Sequence, residues 1–304
     1  MQRIIVDWLE FTLLKGFDIN WVCNFFGISF EDFEDLPKGG LGYKKQKFFN
    51  NIRIYYDGNI GMGIHIVISG QGCRYLESQN KNLFDMIDNL YNLDNINLSR
   101  LDLALDTDFD ILSKVLQSIQ KDLYSSKSRN IKVISSLTDS KFKADTIYIG
   151  SRSSLLMVRI YNKAVEQGVD YAWFRVEIVL KKDRFKMIVP FLRQNVSHTF
   201  AGVLTNYFRP LQSLKGQKCR SPTANYWVKF LGEIEKISLY RNPQCKTIED
   251  KYAWLVNQVE PTIALISTAF EGNEWLNAVV SNGKKRLKEK DYKILQKWKE
   301  VSYE

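Results

Sequence analysis

The chain predicts an α+β fold: a mostly antiparallel central sheet with helices packed on it, followed by a helical C-terminal region. Three observations carry that prediction. Through Leu180 the pattern runs strands, helix, strands, helix, strands, the order of an α+β domain. The strand-like runs are short and broken by polar or glycine-bearing turns such as Asp57-Gly58-Asn59, a hairpin signal. From Lys181 onward apolar residues recur at helical spacing instead. Each half of the strand-rich region supplies a helix laid on several strands, which also suggests a duplicated half-domain.

Taken in order, residues 3–14 predict a first strand and Asp18–Phe26 a short helix. A second helix is expected after Ser29, where Ser29 and Asp32 have capping-box spacing with Asp in place of the usual Glu or Gln; Pro37, Gly39 and Gly40 end it. Tyr43–Phe49, Ile52–Tyr56 and Ile64–Ser69 read as strands. Ser69-Gly70-Gln71-Gly72-Cys73 leads from strand to helix, but it lacks the spacing of a P-loop or a dinucleotide fingerprint, so no nucleotide site is expected there. Leu83–Leu93 has helical spacing, Leu98–Asp106 is a strand, Phe109–Tyr124 a helix and Ile131–Ser135 a strand. Thr146–Lys163 reads as two strands joined by a polar hairpin, and Trp173–Leu180 as a strand after the loop at Glu166–Asp170. Helices are then expected over Arg184–Gln194, Val203–Leu214, Tyr226–Glu235, Ile248–Ala269 with Pro261 interrupting it, Asn273–Val280 and Lys284–Lys299. The expected division is 1–195 and 196–304.

Composition narrows the function classes. A hydrophobic share of 45% and a charged share of 25% are those of a soluble globular protein. Lys plus Arg exceed Asp plus Glu by 43 − 34 = 9, and the isoelectric point is near 9.2, which favours a polyanionic partner such as nucleic acid or an anionic membrane surface. No apolar run approaches the ~20 residues that span a bilayer, and Asp7 and Glu10 inside the first apolar stretch argue against a secretory signal. Cys23, Cys73, Cys219 and Cys245 form no C-x-x-C pair, so reduced thiols and a cytoplasmic location are expected.

Three strands share a design. Alternation puts Arg100, Asp102 and Asp106 on one face of LSRLDLALD, Arg159, Tyr161 and Lys163 on one face of MVRIYNK, and Arg175 and Glu177 on one face of WFRVEIVL. Each strand keeps its other face apolar. A solvated sheet with cross-strand ion pairs accounts for such a pattern without any function. The same groups also suit metal-assisted attack on a phosphodiester. Carboxylates are hard ligands for Mg²⁺ or Mn²⁺, cations offset charge growing on phosphate oxygens, and a tyrosine between cations is a candidate nucleophile.

These residues carry a family resemblance. The chain resembles rolling-circle replication initiators and relaxases of small plasmids, certain filamentous phages and integrative elements. The matching stretches are Asp7-Trp8, Gly70-Gln71-Gly72-Cys73-Arg74, Arg100–Asp106, Tyr148-Ile149-Gly150-Ser151-Arg152, Arg159–Lys163 and Trp173–Glu177, in family order. The resemblance implies site-specific nicking and closing of one DNA strand, with Tyr161 as the nucleophile that forms a 5′-phosphotyrosyl link and frees a 3′-OH. It implies Mg²⁺ or Mn²⁺ on Asp102 and Glu177, with Asp106 as a further ligand. Arg100, Arg152, Arg159, Lys163 and Arg175 are the expected phosphate contacts. Residues 1–195 would then be the nicking domain and 196–304 a candidate for origin recognition, acting as a homodimer with a host helicase as partner. The alternative is a catalytically silent DNA-binding or scaffold protein on the same fold.

Other residues receive weaker expectations. His65 and His198 stand too far apart for the His-hydrophobic-His metal motif of the other rolling-circle nucleases; His65 is expected in the core, and His198 has no assigned role. Tyr148 ranks behind Tyr161 because it lacks flanking charge at Thr146. Trp227, Trp254, Trp275 and Trp298 are expected to pack helices. Residues 281–304 carry eight cations against four anions, so the last helix is either a solvated face or a nucleic-acid contact.

Overall fold

A computed structural model describes residues 4–138, 141–232, 248–270, 274–287 and 289–301. Its strands are β1 Ile4–Leu13, β2 Glu34–Asp35, β3 Lys45–Phe49, β4 Ile52–Tyr56, β5 Ile64–Ile68, β6 Ile96–Thr107, β7 Tyr124–Ser126, β8 Ile131–Thr138, β9 Lys141–Ile149, β10 Leu156–Asn162, β11 Phe174–Lys181 and β12 Phe208–Pro210. Its helices are α1 Ile19–Phe26, α2 Gly70–Ser78, α3 Leu83–Tyr91, α4 Ile111–Gln120, α5 Lys163–Gln167, α6 Asp183–Gln194, α7 Val196–Tyr207, α8 Asn225–Leu231, α9 Ile248–Gln258, α10 Glu260–Ala269, α11 Glu274–Lys284 and α12 Glu289–Val301. Ten strands form one antiparallel sheet in the order β2-β3-β4-β5-β1-β6-β11-β10-β9-β8. The predicted α+β class with a large antiparallel sheet is therefore the observed one.

Alternation explains why the sheet has two unlike faces. Leu9, Phe11, Ile54, Ile66, Leu101, Leu103, Val158, Ile160, Val176 and Ile178 are fully buried in one core with residues of α1–α4 and α6–α8. Burying that apolar face is the main stabilising term, at roughly 25 cal/mol per Å² of apolar surface. The residues between them point to the other face, which carries the charges.

The sheet is built as two halves about the β1–β6 seam. Outward from the seam the first half reads β1, β5, β4, β3 and the second β6, β11, β10, β9. Both halves follow their seam strand with a helix capped by an aspartate: Asp18 accepts from the Trp21 N–H and Asp110 from the Ser113 N–H. Each seam strand also has a bulge, at Asp7 in β1 and at Ser99 in β6, flanking the central pair Leu9–Leu101. Asp7 and Ser99, Leu9 and Leu101, and Asp18 and Asp110 all stand 92 positions apart. The β1 bulge breaks alternation, so Asp7 and Trp8 both leave the core side.

Several boundaries differ from expectation for identifiable reasons. Only a 3₁₀ turn, Phe30–Asp32, follows Ser29; Phe33 is buried in the core and Glu34–Asp35 pair with β3. The tight hairpin is at Asn50-Asn51, both at positive φ (42° and 64°), while Asp57-Gly58 opens a longer loop. Val203–Leu214 is not one helix: α7 ends at Tyr207, and Phe208–Pro210 extend to pair with β7, where Pro210 cannot continue a helix. Lys163 starts α5 rather than ending β10, because Asn162 caps that helix through the Val165 N–H. Pro261 opens α10, which splits the expected 248–269 helix; α11 runs on to Lys284 past the expected end at Val280, and the last helix, α12, spans Glu289–Val301 rather than Lys284–Lys299.

The chain falls into two compact units, Met1–Leu239 and Tyr240–Glu304. The expected division at 195/196 thus lies inside the first unit, because α7 and α8 bury Phe200, Leu204, Trp227 and Phe230 in the sheet's core. In the second unit α9 and α12 are joined by Lys251 and Asp291 at 3.6 Å. Trp298 is 43% exposed, and the side chain of Trp254 lies outside the described residues. Among the described residues no helix is long and apolar enough to cross a membrane.

The glycines of the Ser69–Cys73 turn serve packing. A Cβ on Gly70 would lie 2.8 Å from Asp7 Oδ1, and one on Gly72 would lie 2.7 Å from the Asn51 carbonyl oxygen and 3.0 Å from Ile68 Cγ2. Backbone cannot yield as a side-chain tip does. Gly72→Ala is expected to cost about 1–3 kcal/mol by overpacking, seen as a lowered Tm; an unchanged Tm would show that α2 shifts freely.

Candidate active site

Strand register assembles the charged face. Tyr161 of β10 lies opposite Arg175 of β11, which lies opposite Asp106 of β6. In the next row on this face, Arg159 lies opposite Glu177, which lies opposite Ala104. Asp102 is the next β6 residue on the same face, paired with Trp8 of β1.

The second row makes one cluster around buried carboxylates. Glu177 and Asp102 are 1% and 2% exposed. Arg159 Nη2 donates to Glu177 Oε2 at 2.6 Å, and Arg100 donates through Nε (2.8 Å) and Nη2 (2.5 Å) to the two oxygens of Asp102. Burial pushes the Asp102 carboxyl up to about 7 despite the opposing Arg100 hydrogen bond, and the adjoining Glu177 charge adds to the rise. Two carboxylates crowded in a dry site would rather share a proton or a cation.

Tyr161 sits at this cluster. It is 3% exposed, its hydroxyl donates to Glu177 Oε2 at 3.4 Å, and Arg159 Nη2 donates to that hydroxyl at 3.3 Å. The Arg159 guanidinium lies 4.3 Å and the Lys163 ammonium 5.6 Å from its ring centroid. Burial, then the Glu177 charge, raise the phenol well above its ordinary value, and Arg159 and Arg175 only partly offset this. The phenol is therefore neutral at rest and needs a proton acceptor, for which Glu177 is in place.

The first row forms a separate cluster. Arg175 holds Asp106 through Nε (2.6 Å) and Nη2 (2.7 Å), and its Nη1 reaches Asp7 Oδ1 at 2.7 Å. The structure therefore brings Asp102, Glu177 and Tyr161 together and places Asp106 with Arg175 instead. Among the expected phosphate contacts, Arg100, Arg159 and Arg175 are each held by a carboxylate, and Lys163 by Glu166. Arg152 is exposed on the β9–β10 turn and, among the described residues, has no carboxylate partner. Tyr148 lies across from Arg159 on the same face but makes no hydrogen bond to Glu177 or Asp102.

Asp7, Trp8 and Glu10 join the site without having been assigned a role. Trp8 stacks on the Arg100 guanidinium at 4.6 Å and donates to Glu10 Oε2 at 3.1 Å. Against the cost of burial, hydrogen bonds from His65 and Trp8 hold the Glu10 carboxyl below its ordinary value. The signal was the broken alternation Ile4, Val6, then Leu9, Phe11, which places Asp7 and Trp8 together off the core. His65, expected in the core, is 8% exposed and bonded to Glu10 and Thr12. A cavity of about 650 Å³ beside Arg100 is lined by Lys181, Lys182 and Lys186 against Glu10 and Asp183, so cations outnumber anions on its walls.

Among the described residues no three His, Cys, Asp or Glu side chains form a metal-holding group. Asp102 and Glu177 nonetheless suit a hard divalent ion that takes its other ligands from water and substrate phosphate, as Mg²⁺ commonly does. Their burial, mutual contact and the raised Asp102 pKa are the observations that fit such an ion.

Comparison with known proteins bears on the same residues. A family model described as a replication initiation factor matches residues 96–300, and one described as a rolling-circle replication initiation protein N-terminal domain matches residues 3–89. The first half of the sheet thus answers to one model, and the second begins at β6. NicK of Bacillus subtilis (strain 168), named as a putative DNA relaxase, is 27% identical over 258 residues, covering 78% of this chain and 73% of that protein. The structure of a rolling-circle replication initiator protein from Geobacillus stearothermophilus superposes with a TM-score of 0.69 at 29% identity, covering 79% of this chain and all of that one.

Proposed function

As a member of the replication initiation factor family, the chain is a rolling-circle initiator or relaxase, and we propose that it nicks and recloses one strand of its origin DNA through Tyr161. The observation that carries this reading is the convergence of a buried tyrosine, two arginines and two carboxylates on one sheet face. Tyr161 Oη attacks the phosphorus and bonds to it, the bond from phosphorus to the 3′ oxygen breaks, and a free 3′-OH and a 5′-phosphotyrosyl link result. The phenolic proton passes to Glu177 Oε2, and the departing 3′ oxygen takes a proton from solvent. Arg159 lies against both the phenol and Glu177, so it offsets charge that moves toward the phosphate. Attack by a 3′-OH on the phosphotyrosyl link reverses each step and closes the strand.

Asp102 and Glu177 would hold Mg²⁺ or Mn²⁺, which supplies positive charge to polarise the phosphate when bound. Arg152 is free to meet phosphate directly, whereas Arg100, Arg159, Lys163 and Arg175 would first exchange a carboxylate for it. Recognition of the origin sequence is assigned to the helical region from 196 onward, whose last segment is basic. Action as a homodimer with a host helicase belongs to the same proposal.

The test is incubation with supercoiled DNA carrying the cognate origin and Mn²⁺. Open circles with protein attached at the 5′ end are expected, and the adduct should resist boiling in detergent. Nicks without attached protein would overturn the tyrosine reading. Origin binding with no nick under any divalent ion would favour the silent DNA-binding protein.

A further inference from the structure

The seam relates the cluster just described to a second one. Arg100 and Asp102 occupy on β6 the positions that Trp8 and Glu10 occupy on β1, and in both strands the first side chain donates to the carboxylate two residues on. On the neighbouring strands His65 takes the place of Glu177, and Tyr55 the place of Arg159: β1 Thr12 lies opposite His65, which lies opposite Tyr55, as Ala104 lies opposite Glu177 and then Arg159. His65 Nε2 sits 3.2 Å from Glu10 Oε1, and its Nδ1 lies 2.9 Å from Thr12 Oγ1. The second carboxylate is therefore replaced by an imidazole that is already engaged at both nitrogens. This cluster has neither a carboxylate pair nor a tyrosine hydrogen-bonded to a carboxylate, so it cannot repeat the nicking chemistry.

A cavity of about 430 Å³ opens beside it, within the size range that holds a small ligand. Trp8 and Tyr55 give it aromatic walls, Asn51 and Ser69 polar ones, Arg53 a positive charge and Glu10, already bonded to Trp8 and His65, a negative one. Arg53 differs from the arginines of the other half. It is exposed, its guanidinium lies 5.3 Å from the Phe48 ring, and among the described residues it has no carboxylate partner. Tyr55, 8% exposed, has no hydrogen-bond partner for its hydroxyl among the described residues. A free cation and a free phenol beside aromatic rings suit a phosphate and a base, the two parts of a nucleotide.

We infer that the first half of the open sheet face is a non-cleaving subsite for single-stranded DNA, with a phosphate on Arg53 and a base against Trp8 and Tyr55. The occupant follows from charge and continuity, since the cavity lies on the same face as the nicking cluster, with Arg53's strand β4 five strand spacings or about 24 Å across the sheet from Tyr161's strand β10. A strand held at Tyr161 thus has a second hold on the same surface. The inference rests on the nicking reading for its biological sense, but its test does not.

The test is anisotropy of a labelled oligothymidylate of about 20 nucleotides with the full chain in EDTA, where no cleavage enters. Arg53→Gln is expected to weaken binding about tenfold at low salt and to flatten the slope of log K against log salt by about 0.7, the value of one single-strand phosphate contact. Tyr55→Phe should weaken binding a few-fold with the slope unchanged, and Arg53→Lys should restore the slope. A duplex of equal length should lose less affinity with Arg53→Gln. Wild-type affinity and slope in Arg53→Gln would overturn the subsite, as would an affinity loss with no change of slope. Equal loss on duplex would overturn its single-strand character. The nicking reading fails separately, if Tyr161→Phe still forms adduct.

Discussion

Tyr161→Phe should bind origin DNA and form no covalent adduct, with strand nicking reduced by at least about 10³-fold, since the attacking atom itself is gone. The substitution is a narrow one. It removes a hydroxyl that donates to Glu177 and accepts from Arg159, while the ring keeps its place under the Arg159 guanidinium. Losing these two long hydrogen bonds to charged groups costs about 2–4 kcal/mol of stability, which a melting curve would show, and a folded variant is expected. Tyr148→Phe is the matched control. Tyr148 lies on the same face, directly across from Arg159, but among the described residues no carboxylate is bonded to its hydroxyl. Adduct formation by Tyr161→Phe together with its loss in Tyr148→Phe would move the nucleophile to β9. Retention of full nicking by both would remove tyrosine attack from the mechanism.

How much of this was legible in the residues depends on the range of the physics involved. Strand alternation is local, so the apolar face of β6, β10 and β11 and the set Arg100, Asp102, Arg159, Tyr161, Arg175 and Glu177 opposite it could be read directly. Which of these meet is a matter of register between strands far apart in sequence, and alternation carries no register. Alternation puts Asp106 and Asp102 on the same face of one strand, yet the pairing of Arg175 with Asp106 separates them. Lys163 looked like the end of the same strand, but the Asn162 cap turns the chain into α5 one residue earlier. The bulge at Asp7 was written in the sequence as a break in alternation, and only the pairing of β1 with β6 gives that break a meaning. The same pairing shows that the Glu10–His65 cluster is the seam-related counterpart of Asp102–Glu177, which no short motif could reveal.

The second large effect concerns Asp102, whose carboxyl is raised by burial to about 7, well above the usual carboxylate range. A carboxyl raised in the folded state contributes stability that is fully present below its unfolded value and is lost as pH rises through its folded one. In EDTA the wild type should therefore lose stability as pH rises from about 4 to about 7 and level off above. Asp102→Asn cannot ionise and keeps an acceptor for Arg100, so its advantage in Tm over wild type should grow across that window by several degrees. Mn²⁺ at pH 8 reverses the comparison. A bound cation stabilises only the chain that can hold it, so the wild type should gain Tm and Asp102→Asn should not, while its origin nicking falls at least about 10²-fold. Glu177→Gln should lose the Mn²⁺ response too, and its loss of nicking should be the deeper because the proton acceptor for Tyr161 goes with it. Parallel pH profiles for wild type and Asp102→Asn would show that the buried pair carries no electrostatic strain. A full Mn²⁺ response in both variants would place the metal elsewhere, and the two carboxylates would then serve only to hold Arg100 and Arg159.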